Sequence, residues 1–336
     1  MGILTGFITG ILFGIVLQRG RLCFNSAIRD LKIFKDNYLW KAVILAIALE
    51  TLIFHLMASF GWITLTPKPF APVGNIIGGL LFGFGMVLAG GCASGVTYRS
   101  GEGMTTAWMA AIFYGLFALA SKNGFLKPVI KWLQGPVFKT DASSVSSMYT
   151  SGKVGPTFAT VLGISPWIPA LIFVALLLWY VFGTKTSERD VGKGFGWKTT
   201  AVLVSLVAAF GYWTRESFGD KPYGLGITGG WKNIFSTFSG GHLNWEGAEV
   251  LGIIIGALIA SVAAKEFKLR MPRNPKTYLQ VMIGGALMGI GAPLAGGCNI
   301  GHFLTGVPHL AFSSLLAALF FILGNWTMAY WLFGRR

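Results

Sequence analysis

Charge is what this sequence has least of. Only 12% of its 336 residues are Asp, Glu, Lys or Arg, about half the share of an ordinary soluble domain, while 54% are hydrophobic. Most of its surface cannot face water, which excludes an ordinary soluble fold. Cysteine is nearly absent: Cys23, Cys92 and Cys298 are the full set. Three cysteines cannot close a disulfide framework, and without a C-x-x-C pair or finger spacing they exclude a disulfide scaffold and a zinc finger. Acidic residues are scarce, 12 against 27 Lys+Arg, for a net charge of +15. In so apolar a chain that excess is judged by its placement around a bilayer, and no nucleic-acid partner is implied. No basic residue precedes the first apolar run, and no small-residue cleavage site leads into a soluble domain, which argues against a cleaved signal peptide.

What the chain has instead is apolar length. Runs at 2–17, 42–65, 74–89, 105–120, 167–182, 199–213, 248–264, 278–295 and 310–333 each come near the ~20 residues that cross ~30 Å of hydrocarbon as a helix. The expected fold class is therefore an all-α integral membrane protein of about nine transmembrane helices. Placing the basic segments 29–41, 185–198 and 265–276 and the terminal Arg335 and Arg336 in the cytoplasm satisfies the positive-inside bias. Nine crossings then put the N-terminus outside and the C-terminus in the cytoplasm. The connection 121–166 is the exception, with five lysines and one aspartate on the outer side. It reads as a solvated loop or as a patch that attracts an anion.

The chain also repeats itself. Leu88-Ala-Gly-Gly-Cys92 with Gly95 recurs as Leu294-Ala-Gly-Gly-Cys298 with Gly301, and at the same offset Gly83 and Gly85 fall on Gly289 and Gly291. A second constant offset carries Leu12-Phe-Gly14 onto Leu81-Phe-Gly83 and Cys23 onto Cys92. Applied backwards from Cys298 it reaches Gly229, in the Gly-rich 224–230, a thiol-free fourth copy. Adjacent glycines (Gly90 and Gly91, Gly296 and Gly297) at bilayer depth favour a helix break. Broken backbone survives at that depth only where protein or a water-lined cavity satisfies it, so the copies should meet centrally as short broken or re-entrant helix–loop–helix elements. The halves 1–183 and 184–336 then form a pseudo-two-fold inverted repeat, because 74–89 runs inward and 278–295 outward. Close packing alone would explain the glycines but not a cysteine in the same register three times.

A cysteine in an apolar enclosure stays a neutral thiol, a weak donor with a soft sulfur, and a row of such groups suits the passage of a sulfur-bearing anion. Helices restarting near Thr97 and Phe303 would add free N–H groups. Arg99 either recruits an anion or pairs with Glu102. His302 is four residues from Cys298, too little for a metal site by itself. Glu50 and His55 are ionisable at depth and serve either in proton coupling or as a structural pair. Methionine is scattered, which gives a copper path little support.

The segments Gly90-Gly-Cys92-Ala-Ser-Gly-Val-Thr-Tyr-Arg99-Ser-Gly-Glu102-Gly and Gly296-Gly-Cys298-Asn-Ile-Gly-His302, with the early Arg21-Leu-Cys23-Phe and the Gly-rich 224–230, resemble the YeeE/YedE family of bacterial inner-membrane transporters over nearly the whole chain. The resemblance implies thiosulfate uptake, an hourglass of helices in inverted halves, and a relay that starts at Cys92 and continues through Cys298 and Cys23. It also implies a small cytoplasmic sulfur-carrier partner similar to TusA. The expected function is thiosulfate import without a covalent step or a cofactor. A selenium compound or another inorganic sulfur species is the alternative substrate, and a membrane thiol oxidoreductase is the alternative class.

Overall fold

A computed structural model of the chain describes residues 1–141, 145–189, 192, 194–219 and 221–334. Arg335 and Arg336, and residues 142–144 of the Ser-rich coil, lie outside the described residues. Nine helices of 17 to 22 residues stand where the nine apolar runs were read: α1 (Gly2–Gly20), α3 (Tyr38–Ser59), α4 (Pro72–Leu88), α6 (Thr105–Lys122), α9 (Trp167–Gly183), α10 (Trp197–Phe218), α12 (Trp245–Ala263), α13 (Lys276–Ala295) and α15 (Phe312–Phe333). Among the described residues six spans are long and apolar enough to cross a membrane, or seven if α6 with α7 (Lys127–Gln134), bent by 74°, is taken as one span. The count of nine is therefore approximate: α9 is apolar but short, and α10 carries Lys198, Arg215 and Glu216 near its ends.

Shorter helices complete the set: α2 (Phe24–Ile33), α5 (Ala93–Gly101), α8 (Phe158–Leu162), α11 (Ile227–Thr237) and α14 (Asn299–Gly301), the last running into a π-helical turn at His302–Gly306. Side chains such as Leu171, Ile172, Leu176 and Phe182 on α9, Ile3 and Leu4 on α1, and Leu279 and Ile283 on α13 point outward. Such an apolar exterior is what lipid requires.

Between helices, glycine sets the distance. Gly10 and Gly14 of α1 lie against Glu249, Gly252 and Ile253 of α12, and Gly252 and Gly256 lie against Phe7, Gly10 and Ile11, so these helices run parallel in backbone contact. Gly78 of α4 meets Gly291 and Ala295 while Gly85 meets Gly284 and Met288, so α4 and α13 run antiparallel. Lipid tails are as apolar as leucine, which leaves such close packing to hold membrane helices together. Leucine at Gly252 is expected to cost on the order of 1–3 kcal/mol, read as a lower thermal midpoint in detergent.

The connections sort onto two faces. On the first, the link 60–71 bridges the long connection 121–166 (Leu65 with Tyr149, Phe70 with Phe138), and Glu216 accepts from the Thr64 amide at 2.9 Å. On the second, Asn37 reaches Lys185, Phe195 donates to Arg19, and Gln18 and Arg21 bond Glu266. The three basic segments read from the sequence all gather on this second face. The connection 121–166 is more than a solvated loop: it holds α7, a ribbon of β1 (Thr140–Asp141) with β2 (Lys153–Val154), and α8, and it packs on the first face.

Candidate functional site

Four times a long helix breaks and a short one restarts at the protein's centre, and in three of them the residue capping the new helix is a cysteine. Cys23 caps α2 after Arg21 turns the chain at φ 50°. Cys92 caps α5 after Gly90 at φ 69°, and Cys298 caps α14 after Gly296 at φ 92°. Those two glycines take the left-handed turns that a side chain would resist. The helices thus restart at Ala93 and Asn299, four residues before the expected Thr97 and Phe303, because the cysteine itself is the cap. In the fourth unit the cap is Gly226, three residues ahead of the Gly229 register.

All three thiols are free and buried. Cys92 Sγ accepts from the Gly95 amide at 3.3 Å, the role a serine or asparagine oxygen takes at a helix start, and lies 3.4 Å from Ser94 Oγ and 3.7 Å from Cys23 Sγ. Cys298 stands apart from this pair, in the wall of a cavity. Tyr114 of α6, whose hydroxyl bonds Thr228 at 2.6 Å, lies within electrostatic reach of both Cys298 and Cys92. Trp231 of α11 donates to Thr97 of α5 at 2.9 Å. The broken elements therefore converge around the thiols.

The cavity measures about 600 Å³ and belongs to the first face. Lys68, Lys122, Arg215, Lys221 and Lys232 line it, and Glu246 is its one acidic group among the described residues. Lys68, in the link before α4, donates from Nζ to Gly296 O at 2.8 Å and lies 4.4 Å from the centre of the Tyr223 ring. A Cβ on Gly297 would come within 2.5 Å of that Nζ, so the second glycine of the pair is the floor beneath the lysine. Burial, with Lys122 nearby, brings the Lys68 ammonium down to about 7. Sequence reasoning missed Lys68; the available signal was a lone lysine locked between Pro67 and Pro69 at the edge of an apolar run.

The remaining candidates sort differently. Arg99 does not pair with Glu102: it donates to Gly90 O at 2.6 Å, beside Gly91, and lies 5.7 Å from the Tyr98 ring centre. Glu102 instead accepts from Arg21 at 2.7 Å, tying the end of α5 to the break after α1. His302 bonds Ser314 through Nδ1 at 2.9 Å, and its Nε2 has no partner and faces Gly297. Asn299, next to Cys298, is buried with neither amide atom partnered. Glu50 is likewise buried and unpartnered, while His55 bonds Thr51 O at 2.8 Å, so these two do not form a pair. No cluster of three metal-ligating side chains occurs among the described residues.

This arrangement, a cationic chamber with the buried Cys298 thiol in its wall and two further buried thiols at helix starts, can attract an anion and offer it weak S–H and N–H donors. The sequence matches the family model described as sulphur transport over residues 19–327. The chain is 59% identical over 332 residues to the thiosulfate transporter TsuA of Spirochaeta thermophila, covering 98% of this chain and 99% of that protein. It is 33% identical over 340 residues to the thiosulfate transporter TsuA of Escherichia coli, covering 99% and 95%. To the probable transporter YedE of Escherichia coli it is 32% identical over 173 residues, half of this chain and 38% of that one. With nearly its whole length matched and its break motifs in place, this multi-pass membrane protein belongs to the sulphur transport (YeeE/YedE) family.

Proposed function

We propose that this protein imports thiosulfate across a bacterial inner membrane, drawing the dianion into the cationic cavity and passing it along neutral thiols. One observation carries the reading: Cys298 lies in the wall of a chamber with five cationic side chains, and Cys23 and Cys92, outside that wall, are buried 3.7 Å apart. From that chamber the first thiol is Cys298, whereas the relay implied by resemblance starts at Cys92. Full charges suit capture, and weak donors suit the constriction, where tight binding would stop conduction. The basic second face is cytoplasmic, which puts the cavity and the N-terminus outside and the C-terminus inside. The antiparallel α4 and α13 support inverted halves 1–183 and 184–336. Importing a dianion against an interior-negative potential costs about 5 kcal/mol per 100 mV. A cytoplasmic consumer such as a small TusA-like sulfur carrier supplies the sink.

A bacterium that requires cysteine and lacks its own sulfate and thiosulfate importers tests this. The wild type is expected to restore growth on thiosulfate, and Cys298→Ala, Cys92→Ala or Cys23→Ala to abolish it at matched membrane level. Equal growth in all variants reduces the thiols to packing, and no growth with wild type sinks the thiosulfate assignment. The 3.7 Å separation of Cys23 and Cys92 favours one second reading, a thiol oxidoreductase. That reading requires a Cys23–Cys92 disulfide trapped during turnover, whereas a transporter works with both reduced.

A further inference from the structure

The fourth broken unit has no thiol, and two carboxylates stand at its helix start. Gly226 caps α11, and its amide donates to Glu249 Oε2 at 3.3 Å. One turn earlier on α12, Glu246 presses on the first turn of α11: a Cβ on Gly226 would lie 3.2 Å from its Oε1, and Gly229 and Gly230 have no room for one against it. The same Oε1 accepts from Arg215 at 2.7 Å, and the other arm of that guanidinium donates to Gly224 O at 2.6 Å. Arg215 is almost fully buried, whereas the Glu246 side chain is 21% exposed, toward the cavity. Lys122, Lys221 and Lys232 all lie within its electrostatic range.

The one acid among the described residues that line a chamber of five cations weakens anion capture, so its position needs a reason. It sits on the most buried cation of the set and at the amino end of a helix of 11 residues, a place where anions are favoured. We infer that Glu246 is a tethered carboxylate that competes with the incoming anion for Arg215, beside the start of α11, and so selects for a divalent substrate. This inference rests on the cavity being the substrate's route. A monoanion that displaces Glu246 only exchanges one negative charge for another. A dianion brings one charge more, and gains where the monoanion breaks even. Selectivity of this kind is a difference built from a repulsive element. The returning carboxylate also expels the substrate, which keeps a strongly cationic chamber from becoming a trap.

The test is equilibrium binding to the purified full-length protein with two probes, thiosulfate and the soft sulfur monoanion thiocyanate. Glu246→Gln removes the competitor while keeping its size. It is expected to bind thiosulfate about tenfold more tightly, because the competent state is no longer masked. It should also admit thiocyanate as a competitor, which the wild type resists, and turn over more slowly in proteoliposomes. Glu246→Asp, which keeps the charge, should retain the wild-type discrimination. If folded Glu246→Gln binds thiosulfate no more tightly and still rejects thiocyanate, or if Glu246→Asp behaves like Glu246→Gln, the tethered carboxylate is overturned. If the wild type binds no thiosulfate at all, the substrate assignment falls first and the inference with it.

Discussion

Alanine at Gly95 is expected to cut thiosulfate uptake roughly fivefold to a hundredfold while leaving the protein in the membrane. Gly95 is in the first turn of α5, and a Cβ there would stand 2.7 Å from Cys23 Sγ and 3.3 Å from Cys92 Sγ. Neither sulfur can retreat easily, because both cysteines are fully buried and each has one side-chain rotor. The strain of one added methyl in such a site is of order 1–3 kcal/mol. Here it falls on the thiol pair, either breaking the 3.7 Å contact or swinging Cys23 off the path. Because about 1.4 kcal/mol is a factor of ten in rate, a loss of about 1–3 kcal/mol in the transport step gives roughly a fivefold to hundredfold slowing. Uptake of radiolabelled thiosulfate, normalised to membrane level, measures it. Unchanged uptake in Gly95→Ala would show that the thiols need no fixed spacing. Gly91→Ala serves as the comparison, since the atoms nearest its Cβ would be those of Val96 and Arg99, at 3.2 Å or more.

The lengthwise plan of this molecule was readable from its sequence, and the reason is physical. A bilayer demands long apolar runs, so the nine helices announce themselves within two or three residues of their ends at most sites. The breaks were also legible, because Gly90-Gly91 and Gly296-Gly297 interrupt apolar runs and each is followed by a cysteine. What lay beyond reach was anything fixed by side-chain approach between distant segments. Cys23 could be aligned with Cys92 by register, but register does not tell which two of three sulfurs touch. Arg99 and Glu102 are neighbours in sequence, yet α5 points them to different partners, Gly90 and Arg21. Lys68 lies in a short Pro-flanked link that no motif marks. Only the fold of that link over Gly296 and Gly297 carries its ammonium to the cavity floor. The Glu246–Arg215 pair spans two helices, and no local pattern marks it.

Lys68 makes thiosulfate binding pH-dependent in a predictable direction. With the cavity empty its ammonium titrates at about 7, held down by burial and by Lys122. Below that pH the lysine is charged and holds the anion; above it the free protein has lost the proton, and binding must take one up again. Affinity is therefore expected to be full under mildly acidic conditions and to fall as pH rises through about 7, by at most one factor of ten per pH unit. The fall ends at the higher pH where the bound form, its lysine stabilised by the dianion, also titrates. Lys68→Met removes a charge-assisted hydrogen bond of about 1.5–3 kcal/mol. Apparent affinity should fall about tenfold to a hundredfold, with the falling limb gone. Lys68→Arg keeps the charge throughout the range, so it should bind above pH 8 better than the wild type if the larger guanidinium is accommodated over Gly297. Initial uptake rates from pH 6 to 8.5 at limiting thiosulfate give all three profiles. A wild-type profile that is flat through 7, or one that Lys68→Met reproduces, removes Lys68 from the binding step and leaves capture to Arg215 and the remaining lysines.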